Sequence, residues 1–367
     1  MSSLPFAAHL QNIEISVIRQ IMSIAPPDAI NLGLGEIRLP LPACLKNIAQ
    51  KIISEENLFY TPNAGLPELR QVIAQYYHLD SGDAVCVTVG AEEAIFAALF
   101  AYLNPGDEVV LADPSFLAYK TIIQMLKAKP VFFDLAAEDD FRFSQNSFEK
   151  AITSQTKIVL LNNPINPTGT CYNNEDLAFI ADFCRGKNIL LIVDEVYREL
   201  FIGKPLPSIL EFTSNALVIS SLSKSHCLSG YRLGWLASHN PKLLEPIIKV
   251  HQYLCTCTST LSQKIAITAF SEEGKKAVQS IKKYLDTNRN LALLLLDGKK
   301  IMPNQAHPYI FISVEDDVKT VEKLLKQKVI AIPGSAFGRN GKNWIRINYG
   351  VETALLQQAL PKIRENI

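Results

Sequence analysis

Between residues 84 and 238 the chain alternates short apolar, β-branched runs with longer stretches of helical spacing. The runs AVCVTVG, DEVVLAD, KPVFFDL, KIVLLNN, ILLIVDE, ALVISSL and RLGWLAS stay apolar over strand length rather than alternating with polar residues, which predicts strands covered on both faces. Between them, EEAIFAALFAYL and NEDLAFIADFCRGK repeat apolar residues at helical intervals, the second opened by Asn173 or Asn174 as N-cap. This alternation predicts an α/β fold with a mostly parallel seven-stranded sheet flanked by helices, which takes ligands at the carboxyl ends of its strands. After residue 240 the pattern changes. EEGKKAVQSIKKYLDTNRNLALLLLDG has the length of a helix running between two domains, and YIFISVE, DVKTVEKLLKQK, VIAIPG, WIRINYG and ETALLQQALPKIREN predict a second, smaller α/β unit.

Composition narrows the function class. A chain of 367 residues exceeds the comfortable size of one core, so two domains are expected. Lys plus Arg and Asp plus Glu are each 36, a net charge of zero, so no global field favours nucleic acid or an anionic membrane. Small-molecule chemistry leads. The seven cysteines are odd in number and form no C-x-x-C, which indicates neither a disulfide framework nor a zinc site. The first residues, MSSLPFAAHLQNIEIS, lack a basic region followed by an apolar core, and no run approaches bilayer-spanning length. A soluble, cytoplasmic protein is the expectation.

The stretch SSLSKSHCLSGYRLGW carries the candidate chemistry. The apolar run NALVISSL delivers Lys224 to the end of a buried strand, where a lysine is costly without a task. An isolated strand-end lysine ordinarily snorkels or pairs with an acid. Here Ser221 and Arg232 stand beside it as candidate phosphate ligands, and an amine nucleophile next to a bound phosphate satisfies the whole pattern.

Read in order, NNPINPTG, VDEVYREL, SLSK with GYRLGW, and PGSAFG followed by WIRINYG resemble the class I aminotransferases, fold type I enzymes that use pyridoxal 5′-phosphate. The resemblance runs from IRQIMS and NLGLGE to the last helix. It implies a large cofactor-binding domain over 41–274, a small domain from 1–40 and 275–367, and a reaction that moves an amino group between an L-α-amino acid and a 2-oxo acid by a ping-pong cycle. Lys224 then holds the cofactor's aldehyde and shuttles the substrate's α-proton. Asp194 faces the pyridine nitrogen and keeps it protonated, while Tyr197 and Asn166 bond the phenolic oxygen. Asn166-Pro167 is expected to be cis. The phosphate falls to the amides of Gly90, Ala91 and Glu92 with Ser221 and Arg232. Phe116 matches the aromatic stacked on the ring, Arg346 the bidentate partner of the substrate carboxylate, and Gly35 the backbone that closes the site. Tyr60 matches a tyrosine that reaches the partner's phosphate, implying a homodimer.

The chain departs from the family pattern in three places. Glu92 sets a negative side chain beside the phosphate, so only its amide is expected to contribute. Ile37, Arg38 and Leu39 replace the usual Pro-Asp-Phe, with altered substrate entry as the expected consequence. His226 and Cys227 replace Phe-Gly after the lysine and are read as packing residues. No second substrate-binding arginine is assignable, so the donor stays open. Other fold type I activities remain alternatives: a C–S β-lyase, an amino-acid decarboxylase or a histidinol-phosphate aminotransferase. A cofactor-sensing transcriptional regulator would need a DNA-binding module, for which residues 1–30 are too short and insufficiently basic.

Overall fold

The structure is a computed structural model that describes residues 7–11 and 13–367. Every predicted strand of the 84–238 region forms. In spatial order they are Val85–Thr88, Gly234–Ala237, Ala216–Ser221, Leu190–Asp194, Thr156–Asn162, Glu108–Asp113 and Lys129–Asp134. All pairings are parallel except those of Gly234–Ala237, which is antiparallel to both its neighbours. Successive residues of each strand alternate between two cores. Val159, Leu161, Leu191, Val193 and Val218 join the core on one face, and Ile158, Leu160, Ile192, Leu217 and Ile219 join the core on the other. That two-sided burial explains why these strands read as continuous apolar runs.

The flanking helices begin and end where local chemistry sets them. Asn173 caps Asn174–Gly186 through a capping box with Asp176, and its side chain accepts the Asp176 N–H at 2.9 Å. Gly90 opens Ala91–Tyr102 with φ of 85°, a left-handed value that favours glycine. The long predicted helix spans Glu272–Leu295, with Ser271 accepting the Gly274 N–H. Its buried Asn288 donates to the carbonyls of Tyr349 and Val351, each at 2.8 Å, and so ties the helix to the segment that follows the strand Trp344–Asn348.

The remaining strands form two small sheets. Ile332–Pro333, Trp344–Asn348 and Tyr309–Ser313 make an antiparallel sheet, while Ile30–Asn31 pairs in parallel with Val329–Ile330. VIAIPG thus supplies two strands to two different sheets. Its first pair bonds to the N-terminal segment and its second to Trp344–Asn348, where Pro333 has no N–H with which to continue a ladder. A third core joins Ile18, Ile21 and Leu32 to Ile281, Leu285, Ile310, Ile345 and Leu356, and also takes in Val196, Tyr197 and Leu200 from the end of the central strand Leu190–Asp194. The expected small domain therefore includes residues 1–6 and Asn12, which lie outside the described residues. No helix among the described residues is long and apolar enough to cross a membrane.

Candidate active site

The carboxyl ends of the central strands open onto a cavity of about 410 Å³. Adjacent strands put Asn162 and Asp194 in register at that edge. Asp194 is buried; its Oδ2 accepts the Tyr119 hydroxyl at 2.7 Å and its Oδ1 accepts the Val196 N–H at 3.1 Å. Burial pushes its carboxyl up to about 6, against the opposing pull of the Tyr119 bond, the Val196 N–H and Lys224. Asn162 donates to the Asp194 carbonyl at 2.9 Å and accepts the Asn166 N–H at 2.8 Å, so the NPTG turn is fixed to the strand end. Asn166-Pro167 is cis, as the resemblance implies.

Ser221 ends the next strand, and its hydroxyl accepts the Ser223 N–H to start the single helical turn Leu222–Ser225 that carries Lys224. The Lys224 ammonium donates to the Gly35 carbonyl and lies 5.9 Å from the centre of the Tyr197 ring. Tyr197 shares a 2.7 Å hydrogen bond with Tyr309, and burial with this neighbour pushes the Tyr197 phenol well above its ordinary value. A side chain at Gly35 would collide with the Tyr309 hydroxyl, so the backbone there approaches as closely as glycine allows.

Arg346 enters from the small antiparallel sheet and is 1% exposed. Its Nη1 donates to Asn166 Oδ1 at 2.7 Å and its Nη2 to the Gly33 carbonyl at 2.5 Å, while Nε is buried without a partner. The guanidinium sits 4.4 Å from the Tyr309 ring centre and 4.7 Å from that of Phe337.

At the other end of the cavity, Arg232 adopts a left-handed backbone with φ of 50° and packs against Gly90. A Cβ added at Gly90 would lie 2.7 Å from Arg232 Nη2. Gly234 allows the same approach, since its Cβ would lie 2.6 Å from the Ala91 nitrogen. The first turn of Ala91–Tyr102, Ser221, Ser223 and Arg232 thus converge, with free helix-start amides and a guanidinium for an anion. The donor set fits pyridoxal phosphate: an anion cradle at one end, a buried carboxylate for a cationic ring nitrogen, and an amine between them.

Lys224, Asp194, Tyr197, Asn166, Phe116, Ala91, Glu92, Ser221, Arg232, Gly35 and Arg346 line this one cavity, and Gly90 backs it through Arg232. Glu92 keeps its side chain exposed. Tyr60 lies outside the cavity and is 88% exposed. Ile37, Arg38 and Leu39 are not in the wall; Ile37 is buried and Arg38 pairs with Glu36 at 3.2 Å. His226 bonds Ser225 Oγ at 2.8 Å and the Ala269 carbonyl at 3.1 Å, and burial lowers its imidazole to about 4, so it packs as a neutral ring. Motif and spacing alone do not single out Tyr119, Asn162 and Tyr309, which hold Asp194, Asn166 and Tyr197. Tyr119 had a signal, standing one helical turn after Phe116; the other two show only through strand pairing and tertiary contact.

Comparison with known proteins agrees with this chemistry. The family model described as aminotransferase class I and II matches residues 27–363. A probable aspartate aminotransferase of Methanocaldococcus jannaschii is 32% identical over 98% of this chain and 99% of that protein. A probable N-acetyl-LL-diaminopimelate aminotransferase of Bacillus subtilis is 35% identical over 96% and 93%. The crystal structure of an aspartate aminotransferase from Thermotoga maritima superposes with a TM-score of 0.90 at 30% identity, covering 98% of this chain and 99% of that one. With a matched model across nearly its whole length and relatives of this identity, the chain belongs to the class I and II aminotransferases, which depend on pyridoxal 5′-phosphate.

Proposed function

We propose that the chain transfers an amino group between an L-α-amino acid and a 2-oxo acid in two half-reactions at this cavity, with residues 41–274 as the cofactor-binding domain and 1–40 with 275–367 as the small domain. The observation that carries the reading is Arg346: a buried guanidinium with two donors fixed on Asn166 and Gly33, a third without a partner, and no carboxylate paired with it among the described residues. A substrate carboxylate supplies the missing partner, and a buried donor left unpaired costs about 1–3 kcal/mol.

Bound here, pyridoxal phosphate supplies a covalent attachment for the amino group and an electron sink for the Cα–H bond. Gly90, Ala91, Ser221 and Arg232 hold its phosphate, with the Glu92 amide beside them. Asp194 holds the proton of the ring nitrogen, and Tyr119 orients that carboxylate. Asn166 and Tyr197 bond the phenolic oxygen, Phe116 packs on the ring face, and Gly35 lets the backbone close over the site. With the cofactor bound, the Lys224 amine would take up the proton from the substrate's Cα and hold it for return, while Arg346 would fix the carboxylate so that the Cα–H bond faces Lys224. The ordinary partner of Tyr60 is then a second copy of the chain. Exposed Phe59, Tyr60 and Tyr253 are consistent with a homodimer, and seven unpaired thiols suit a reducing cytoplasm.

The test uses holoenzyme and single amino acids with no oxo acid added. The true donor should release one equivalent of its 2-oxo acid per site and leave the enzyme in the amine form of its cofactor. A panel of acidic, small, aromatic, branched and sulfur-containing donors reads the specificity. Catalytic release of carbon dioxide, or of ammonia with a thiol, would replace this reading with a decarboxylase or a lyase.

A further inference from the structure

On the far side of the helix that starts at Ala91, Glu93 meets two residues of the helix Glu245–Cys255. His251 is fully buried, and its Nδ1 lies 3.2 Å from each carboxylate oxygen of Glu93. Cys255, one helical turn on, places its Sγ 3.4 Å from the same Nδ1. One oxygen, one nitrogen and one sulfur thus lie within 4.8 Å of one another, the one such group of metal-ligating side chains among the described residues.

The arrangement differs from that of a proton relay. A Cys–His–acid relay puts the thiol on one ring nitrogen and the carboxylate on the other. Here both crowd Nδ1, which has one position to share: a proton on Nδ1 serves the carboxylate, and the thiol is left with the His251 carbonyl at 3.7 Å, a long contact one helical turn back. A cation at the common point serves all three. In a tetrahedral zinc site with ordinary bond lengths, the nitrogen–oxygen edge is about 3.3 Å and the nitrogen–sulfur edge about 3.6 Å. The separations of 3.2 and 3.4 Å are close to those edges, and the sulfur, which also lies 3.9 Å from Nε2, has to swing toward the Nδ1 lone pair to share the cation. The carboxylate is also oriented from behind, as metal ligands commonly are, because Glu93 Oε2 accepts the Val89 N–H at 3.1 Å.

We propose that Glu93, His251 and Cys255 form a site for a borderline-soft divalent cation such as Zn²⁺, three protein ligands leaving a fourth position open. The sequence hides it: H-x-x-x-C spans one helical turn, and its acid lies 158 residues away. The site rests on none of the residues that hold the cofactor. It does bind the first turn of the phosphate-facing helix to the last turn of Glu245–Cys255.

The experiment is equilibrium dialysis of chelator-treated holoenzyme against Zn²⁺, with Co²⁺ as a spectroscopic probe. One Zn²⁺ per chain is expected, and Co²⁺ should give the intense red-region bands of a tetrahedral site, away from the cofactor's absorbance. Loss of even an orienting partner costs roughly 10–100-fold in metal affinity, so Cys255→Ser and Glu93→Gln should each weaken Zn²⁺ at least that far. Because His251 is buried and its replacement threatens folding, the half-exposed Cys255 is the deciding variant, checked by an unchanged melting temperature without metal. No Zn²⁺ bound by the wild-type holoenzyme at micromolar concentration, or binding that Cys255→Ser leaves unchanged, would overturn the site. A failed donor panel with intact Zn²⁺ binding would count against the proposed reaction and leave the metal site standing.

Discussion

Asp194 is the residue whose environment most plainly asks for a partner. Its carboxyl is raised from 3.8 to about 6 in the folded chain, so between those values the native state keeps a proton that the unfolded chain has released. The contribution of Asp194 to stability without cofactor is therefore fully present below pH 4, is lost as pH rises to about 6, and then stays constant, a loss of roughly 3 kcal/mol from this one group. A cationic ring nitrogen against the carboxylate removes that penalty. Pyridoxal phosphate should raise the melting temperature more at about pH 8 than at about pH 5, and Asp194→Asn should flatten the difference; equal stabilisation of the wild type at both would separate Asp194 from the ring. Arg346→Lys tests the other end of the substrate. A lysine cannot span Asn166, Gly33 and a carboxylate with one planar fork, so kcat/KM should fall about 100-fold while cofactor affinity changes little. A parallel loss of cofactor affinity would mean that Arg346 serves the fold rather than the substrate. The sequence discloses Lys224, Asp194 and Arg346 because each sits in a short motif, the first two where a strand ends and Arg346 in the middle of one. It concealed Tyr119, Asn162 and Tyr309, whose roles exist only through neighbours brought in by pairing.

Among elements, the antiparallel strand Gly234–Ala237 has a task that its apolar pattern does not announce. It lies between Val85–Thr88 and Ala216–Ser221, and Gly234 lets the backbone of Gly90 and Ala91 come within reach of Arg232. Gly234→Ala would drive a methyl into backbone atoms 2.6 Å away, which cannot yield as a side chain would. Overpacking of that kind costs about 1–3 kcal/mol, and the displaced helix start should weaken cofactor binding roughly tenfold or more. Titration of the apo variant with pyridoxal phosphate checks this; wild-type affinity would remove that helix start from the cradle. The seven strands and their helices were legible because two-sided burial writes an unbroken apolar signal. The direction of Gly234–Ala237 and the division of VIAIPG between two sheets were not, since pairing partners are chosen by distant segments.

For the whole molecule, the exposure of Tyr60 makes assembly the question. If a second copy takes it, activity should depend on concentration, and sedimentation should give a dimer at micromolar levels. Mixing Tyr60→Phe with Lys224→Ala subunits tests the sharing directly: hybrids hold one site with both residues intact, so two weak preparations should become active together. No recovery in verified hybrids would confine each site to its own chain. The parallel pairing of Ile30 with Val329 and Asn31 with Ile330 has a consequence for biosynthesis. On the ribosome the N-terminal segment emerges first, yet its strand partner follows only after nearly the whole chain. At ~5–20 residues per second that interval is roughly 15–60 s. Throughout it Ile18, Ile21 and Leu32, all destined for burial, lack their partners from the end of the chain, although the seven-stranded sheet can be complete once Ala237 has emerged. The nascent chain is therefore most in need of a chaperone around residues 18–32, and Arg346 meets Gly33 only when that exposure ends.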